Sequence, residues 1–552
     1  MELSKGRLFS CLTGWLLFLA LTFPANKAAC QETQFNYYYR IYFRDKGNQR
    51  ATDIQPQSLL SDRAIARRLK AGIPLIDYRD LPVFRDYIFQ INDMGLTFHC
   101  ASKWMNTALF KTAAEADTSI LKNLDFVTNV TIVKRPSGKS AYSDKLELSL
   151  SDSYPPYDNH LIMLNGYTLI NSGFNGKGIL VAVLDGGFDK ADVISGLSPL
   201  RGRNGIKATK DLITGGDKVY NYSSHGTAVL TVLAGQITGQ LEGVSQGADY
   251  LLIRTEDGSS EFPVEEDFWA AGAEYADSCG ADIISSSLGY STYDAPEMSY
   301  DYSDMDGNST FVSRAADIAA SKGILVVTSA GNARDKQWVR IIAPSDGDSV
   351  ICAGAVDGNG IISTFSSAGP SADGRVKPDN VAQGVSVTVQ VSEESLSRVN
   401  GTSFSCPILS GFSACLMQAF PDAVNTDIIS ALRSSSDRLS HPDSLYGYGI
   451  PDLQVAAEIL EGNLVFIPEK ESVASPNPFT GDLEITFRRP PGMLRLDIYT
   501  VTGEMIISKQ YNEYITRRLV INDLQNAPRG LYFIRMATSN GVYTNKVIKI
   551  DK

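Results

Sequence analysis

The run Gly178-Ile-Leu-Val-Ala-Val-Leu-Asp185 is apolar until its last residue. A short strand without polar alternation is one buried on both faces, as in a parallel sheet covered by helices. Such a strand carries its terminal carboxylate to the sheet edge. Taken alone, Asp185-Gly-Gly-Phe-Asp189 has a plainer reading, a turn aspartate, because Asp-Gly is a common turn pair. The surrounding chain argues for the sheet. From about 155 to 462 the runs DYLLIRT (249–255), DIISSSLG (282–289), ILVVTSAGN (324–332) and VICAGAV (350–356) alternate with longer amphipathic segments. That alternation predicts an α/β domain, a parallel sheet wrapped by helices. In such sheets chemistry gathers at the carboxyl ends of the strands.

Three further residues stand at comparable places. His225, in Asn221-Tyr-Ser-Ser-His225-Gly-Thr-Ala-Val, leads into the helical run TAVLTVLAG, whereas His99, His160 and His441 have no such surroundings. Singly, a histidine of this kind reads as structural or solvated. Ser403 follows a Gly-Thr turn in Val399-Asn-Gly-Thr-Ser-Phe-Ser-Cys-Pro-Ile-Leu-Ser-Gly411 and opens an apolar run that reads as a buried helix. There it would be a helix cap or a nucleophile placed where terminal N–H groups favour developing negative charge. Asn332 ends the strand-like ILVVTSAGN as an amide donor or a turn asparagine. Jointly they form a set: a serine needs a base, the base works best when a carboxylate fixes its tautomer, and the oxyanion needs donors.

The order Asp, His, Asn, Ser within VLDGG, HGTAV, SAGN and GTSFSCP resembles the subtilisin-like serine peptidases, the subtilases. The similarity spans about 160 to 460 and extends to SSSLG (285–289), FSSAGP (365–370) and VKPDNVAQG (376–384). It implies that Asp185 orients, His225 serves as general base and then acid, Ser403 attacks, and Asn332 with the Ser403 backbone N–H forms the oxyanion hole. It also implies that Ser287, Leu288 and Gly289 pair with an extended peptide, and that Ser329, Ala330 and Gly331 line the pocket beside the scissile bond. Two departures are visible. Gly186 stands where the family commonly has Ser or Thr, and Gln383 replaces a usual proline. Neither would touch a reacting atom.

Strand addition reads backbone rather than side chains, so broad cleavage is expected, and the small uncharged residues of the pocket predict an apolar leaning. Asp301, Asp304 and Asp306 are the acidic residues expected near the cleft. Asp304, Asp306 and Asn308 alternate around Gly307 as in a calcium loop, but the distal glutamate is missing, since the chain there reads Arg314-Ala-Ala-Asp317. A solvated turn is the alternative. No cofactor is required for the chemistry; calcium would enter as a structural ion.

The flanks read differently. Lys5, Arg7, the apolar run Leu8–Phe23 and the small residues before Gln31 predict a secretory signal peptide over 1–30. A transmembrane anchor is disfavoured by the short core closed by Pro24 and Lys27, and Lys27 also argues against a lipidated Cys30. Residues 32–135 open on the strand-like YYYRIYF, continue through SLLSDRAIARRLKAG and close on VTNVTIVK, a small α+β unit. With SDRAIARR, LPVF and SKWMN it resembles the propeptides of secreted subtilases from Bacteroidetes-type bacteria, which implies a zymogen cut between Pro136 and Pro155. A permanent accessory domain is the alternative. Residues 464–552 alternate as strands, DLEITF, LRLDIYT, MIISKQY and LYFIRMA, and predict a β-sandwich. SPNPF (475–479), LDIYTVTGE, APRGLYFIRM and NKVIKI resemble a type IX secretion sorting domain; an adhesive β-module is the alternative.

The formal net charge of -12 argues against nucleic acid as a partner. The seven cysteines lack the spacing of a disulfide framework or a zinc site. Asn221-Tyr-Ser and Asn400-Gly-Thr are glycosylation sequons whose glycans would crowd His225 and Ser403, which favours a bacterial source. The expected protein is therefore a secreted or cell-surface serine endopeptidase acting on proteins or peptides through an acyl-enzyme. It would be exported by its signal peptide and the type IX machinery, with no transmembrane segment in the mature chain. Two alternatives are an adhesin with an inactive peptidase fold, and an enzyme that passes its acyl group to amines or hydrolyses esters.

Overall fold

The protein is described from a computed structural model, which covers residues 36–136, 148–150, 155–393, 395–462 and, with short interruptions, 472–550. The expected signal peptide and most of the 136–155 stretch lie outside these residues. Among the described residues no helix is long and apolar enough to cross a membrane.

Seven parallel strands form the central sheet, in the order Asn380–Gln383, Val350–Val356, Leu325–Ser329, Ile283–Ser286, Leu180–Asp185, Asp249–Arg254, Ile206–Asp211. Every residue of Leu180–Asp185 is buried, as its unbroken apolar run requires. Val181 and Val183 face a core shared with helices His225–Ala234 and Thr402–Ala419. Leu180, Ala182 and Leu184 face the other core, built with helices Val264–Cys279 and Phe311–Ser321. Each such valine or leucine side chain contributes roughly 1.5–3 kcal/mol by leaving water. The chain leaves Leu180–Asp185 first toward one sheet edge and later toward the other. Asp185 thus stands at the topological switch point, where open α/β sheets bind their ligands.

The N-terminal unit is a four-stranded antiparallel sheet, ordered Thr97–Ser102, Thr107–Thr112, Tyr37–Phe43, Val127–Lys134. Its helix Asp62–Lys70 starts where the Ser61 hydroxyl accepts from the Ala64 N–H at 3.3 Å. What the sequence did not reveal is how firmly this unit sits on the central domain. Arg40 makes a two-pronged contact with Asp267, at 2.8 and 2.7 Å. Arg67 and Arg68 both reach Asp277, and Arg68 also binds Asp80. Glu274 accepts from the Ser102 hydroxyl at 2.6 Å and from the Lys103 and Trp104 N–H groups at 3.0 Å. Asp267, Glu274 and Asp277 all belong to helix Val264–Cys279, whose outer face carries this contact.

The C-terminal strands make a three-stranded and a four-stranded antiparallel sheet. Leu483, Ile485 and Leu519 of one share a core with Leu494, Ile498, Ile534 and Val547 of the other, the sandwich that the alternation predicts.

Candidate active site

Asp185, His225 and Ser403 come together where the carboxyl ends of the central strands meet the starts of two helices. Asp185 ends its strand wholly buried. His225 is the first residue of helix His225–Ala234, and its Nδ1 lies 2.9 and 3.0 Å from the two Asp185 oxygens. Only a glycine fits beside them, because a Cβ on Gly226 would meet the Gly187 carbonyl oxygen at 2.4 Å and Asp185 Cβ at 2.9 Å. Since Asp185 accepts at Nδ1, the imidazole carries its proton there and leaves Nε2 as the basic nitrogen. The Gly186 N–H donates to Asp185 Oδ1 at 2.8 Å and helps hold the carboxylate.

Ser403 is the second residue of helix Thr402–Ala419, after Gly401. Pro407 lies inside that helix and has no N–H to offer the carbonyl four residues back, which is that of Ser403. The Ser287 hydroxyl supplies the missing donor at 2.8 Å. The Ser403 hydroxyl itself lies 3.4 Å from the Ser287 carbonyl. The Pro407 of GTSFSCP thus ties the serine's backbone to the Ser287–Gly289 edge. Burial pushes the thiol of nearby Cys406 up to about 11, so it stays protonated at neutral pH and does not rival the serine.

Asn332 is oriented by Thr402, whose N–H and hydroxyl both donate to Asn332 Oδ1 at 2.9 Å. With its oxygen so engaged, the amide presents Nδ2 as the donor; a Cβ on Gly401 would stand 3.4 Å from that nitrogen. His225, Ser403, Asn332, Ser287, Leu288, Gly289, Ser329 and Gly331 line one cavity of about 190 Å³. Ala330 does not line it. Between Ser329 and Gly331 its side chain turns inward, into a small cluster with Ile341 and Cys352, as alternation along an extended segment dictates.

The acidic residues of the cavity are not those expected. Glu256 and Glu261 line it, and their carboxylates draw together with that of Glu265. Asp304 instead accepts from the Asp301 N–H, and Asp306 from the Asn308 and Ser309 N–H groups. These are turn-capping contacts in place of a convergent loop. Glu256 follows strand Asp249–Arg254 by two residues, so the strand-end rule that exposed Asp185 applied to it as well. The uncharged pocket inferred from local sequence was incomplete, because Glu256 and Glu261 reach it from the stretch that follows strand Asp249–Arg254.

One stretch from outside the central domain reaches the cavity. Leu148 lines it, and Leu150 and Ser149 pair antiparallel with Val399 and Asn400, on the strand that runs into Ser403. A polypeptide therefore already lies against this edge.

Comparison with known proteins agrees with this anatomy. A profile of the subtilase family matches residues 176–449, one of the peptidase S8 propeptide domain of Bacteroidota matches 38–147, and one of a secretion system C-terminal sorting domain matches 474–550. Subtilisin E of Bacillus subtilis is 26% identical over 373 residues, covering 67% of this chain and 85% of its own. The serine protease AprX of the same organism is 29% identical over 339 residues, covering 52% and 67%. Among solved structures, the MycP3 protease of the type VII (ESX-3) secretion system matches with a TM-score of 0.45 at 22% identity, over 56% of this chain and 91% of that one. The sorting domain marks the chain for type IX export to the cell surface or beyond. The chain therefore carries a subtilase-family, subtilisin-like serine peptidase domain over residues 176–449, with a propeptide domain before it and a secretion sorting domain after it.

Proposed function

We propose that the protein is a secreted endopeptidase that cleaves polypeptides through an acyl-enzyme on Ser403. The observation that carries this reading is the pairing of His225 Nδ1 with both Asp185 oxygens in the cavity that Ser403 lines. His225 Nε2 takes the Ser403 proton as Oγ bonds to the scissile carbonyl carbon. The carbonyl oxygen becomes an oxyanion held by Asn332 Nδ2 and the Ser403 N–H. The C–N bond then breaks, and His225 returns the proton to the leaving amine. Water, deprotonated by the same imidazole, releases the acyl group. Every step uses protein groups and water. A calcium ion would act on stability alone.

Selection among substrates rests on backbone pairing along Ser287–Gly289. Leu288 and Ile342 favour apolar side chains, while Glu256 and Glu261 disfavour acidic ones.

The same groove supports a zymogen. The propeptide match ends at residue 147, and Ser149 and Leu150 occupy the strand edge next to Ser403. On this reading the activating cut falls inside the expected 136–155 window.

The test is the intact mass of the secreted protein before and after a serine-directed fluorophosphonate, with Ser403→Ala in parallel. One adduct on the wild type and none on the variant is expected, with a processed chain beginning between residues 136 and 155. A processed chain that takes no adduct would leave an adhesin as the better reading.

A further inference from the structure

Asp185 and His225 come from different loops, and their alignment depends on what joins those loops. Asp185 is followed by Gly186, which lacks the hydroxyl common at this position in the family and so cannot anchor the turn through a side chain. His225 is preceded by Asn221–Ser224. Backbone contacts bring the two loops together, from the Phe188 N–H to the Val219 carbonyl at 2.8 Å and from the Asp189 N–H to the Ser223 carbonyl at 3.1 Å.

A third strand supplies a side chain that touches both. Arg254 ends strand Asp249–Arg254 directly beside Asp185 in the parallel register, and it is almost wholly buried. Its Nε donates to the Gly186 carbonyl at 3.1 Å. Its guanidinium carbon lies 3.5 Å from the ring centroid of Tyr222, three residues before His225. Its Nη1 donates to both oxygens of buried Asp211, at 3.3 and 3.1 Å. Asp211 is itself fixed by the Ile213 and Thr214 N–H groups and the Thr214 hydroxyl. Asp211 balances the charge of Arg254, so the arginine does not compete with His225 as a cation for Asp185. A planar fork that hydrogen-bonds along its edge and stacks on its face suits this bridging role, and a lysine could not do both.

We propose that Arg254 is a positioning residue, a bridge between the turn after Asp185 and the loop before His225 that keeps the two side chains aligned for proton transfer. The inference rests on the roles proposed above for Asp185 and His225. Arg254 does not line the cavity. Its loss therefore slows the chemical step without weakening substrate binding. Misplacing a reacting group by about 1 Å costs on the order of 100-fold, which bounds the effect.

The test compares full-length wild type, Arg254→Met, Arg254→Lys and Tyr222→Leu. Each variant is matured by a trace of tagged wild-type enzyme that is then removed. Active-site titration with the fluorophosphonate counts competent molecules, and kcat and KM are measured per titrated site on a peptide amide. For Arg254→Met, kcat is expected to fall about 10- to 100-fold with KM within about twofold. Arg254→Lys should fall between Met and wild type, and Tyr222→Leu should lose about threefold in kcat. Arg203→Ala, which breaks an exposed pair with Asp249 at the other end of the same strand, should match the wild type.

A wild-type kcat per site in Arg254→Met, or a loss fully accounted for by fewer titrated sites, overturns the bridge. So does a raised KM at unchanged kcat. Should Arg254→Met fail to accumulate because Asp211 is left buried and unpaired, Tyr222→Leu decides by the same kcat-against-KM split. An unlabelled wild type overturns the Ser403 mechanism and the bridge together, whereas a labelled wild type beside an unaffected Arg254→Met overturns the bridge alone.

Discussion

Asp185 and Asp277 are both fully buried carboxylates, but they lie on opposite sides of the central sheet and keep different company. Asp185 meets the imidazole of His225 and a backbone N–H. Asp277 meets two guanidinium groups, those of Arg67 and Arg68. An imidazole gains and loses a proton near neutral pH, so the first pair can change its charge during a reaction. A guanidinium is always charged, so the second is a permanent pair. Nearby Asp80 shows how strongly that face is neutralised. Burial works against its charged form, yet hydrogen bonds from Arg68, the Asp77 N–H and Lys322 hold its carboxyl well below the usual range. Buried charge thus serves chemistry where its partner can titrate and docking where its partner cannot.

The largest effects should fall on the reacting side. Ser403→Ala is expected to lower turnover by 10⁴-fold or more, and Asn332→Ala by about 100- to 1000-fold, read as kcat on a peptide amide. The second figure is the one established for the corresponding amide of subtilisin and is carried over from it. Equal activity of Asn332→Ala and wild type would erase the distinction between the two faces, because no donor on the reacting side would then matter more than packing.

On the docking side, Arg40→Ala leaves Asp267 buried and unpaired, a loss of about 3 kcal/mol or more. Residues 32–147 carrying this change, added to the processed enzyme, should inhibit it about 100-fold more weakly than the wild-type fragment. An unchanged inhibition constant would mean that the Arg40–Asp267 pair does not hold the fragment on helix Val264–Cys279.

Asp317, on helix Phe311–Ser321 of the same side, makes no such ion pair among the described residues. Burial pushes its carboxyl up to about 6, against the Ser349 N–H that stabilises the charge and with the repulsion of Asp348. Its folded pKa lies above the unfolded value, so between about pH 4 and 6 the native state binds more protons and stability falls as pH rises. Asp317→Asn should therefore stabilise the protein by on the order of 2 kcal/mol above pH 6, and the gain should vanish below pH 4. Melting temperatures across that range would show it, and a gain independent of pH would assign the effect to something other than titration.

The smallest effect is expected from Arg63→Ala. Its pair with Asp282 is close, at 2.6 Å, but the arginine side chain is 44% exposed, and exposed pairs contribute roughly 1 kcal/mol or less. Inhibition by that fragment should weaken by no more than about fivefold, which would separate buried from exposed pairs within one interface.

Local sequence made the central sheet legible because each strand is a short apolar run and each reacting group ends or opens an element. Leu180–Asp185 shows this most plainly: burial on both faces leaves a continuous apolar signature, and the one polar residue marks the strand end. Ser403 and His225 were legible for a related reason, since each stands at a helix start after a turn. Ala330 was misjudged because adjacent residues of an extended segment face opposite ways, and only the fold says which way faces the cavity. Glu256 was within reach of the strand-end rule, whereas nothing in TEDGSSEF announces that Glu261, farther along the loop, borders the same cleft.

Apolar patterning and periodicity, acting through short-range sterics and hydrophobic burial, determined the parallel sheet, and motif order with the resemblance it carries singled out Asp185, His225, Asn332 and Ser403 as the candidate reacting set. The tertiary structure alone decided that Ser287 serves the carbonyl released by Pro407, that Arg254 joins two loops, and that Arg40, Arg67 and Arg68 clamp the N-terminal domain to helix Val264–Cys279. Such contacts join residues from about 30 to more than 200 positions apart. They form only after the hydrophobic cores have brought distant elements together, and no local pattern encodes them.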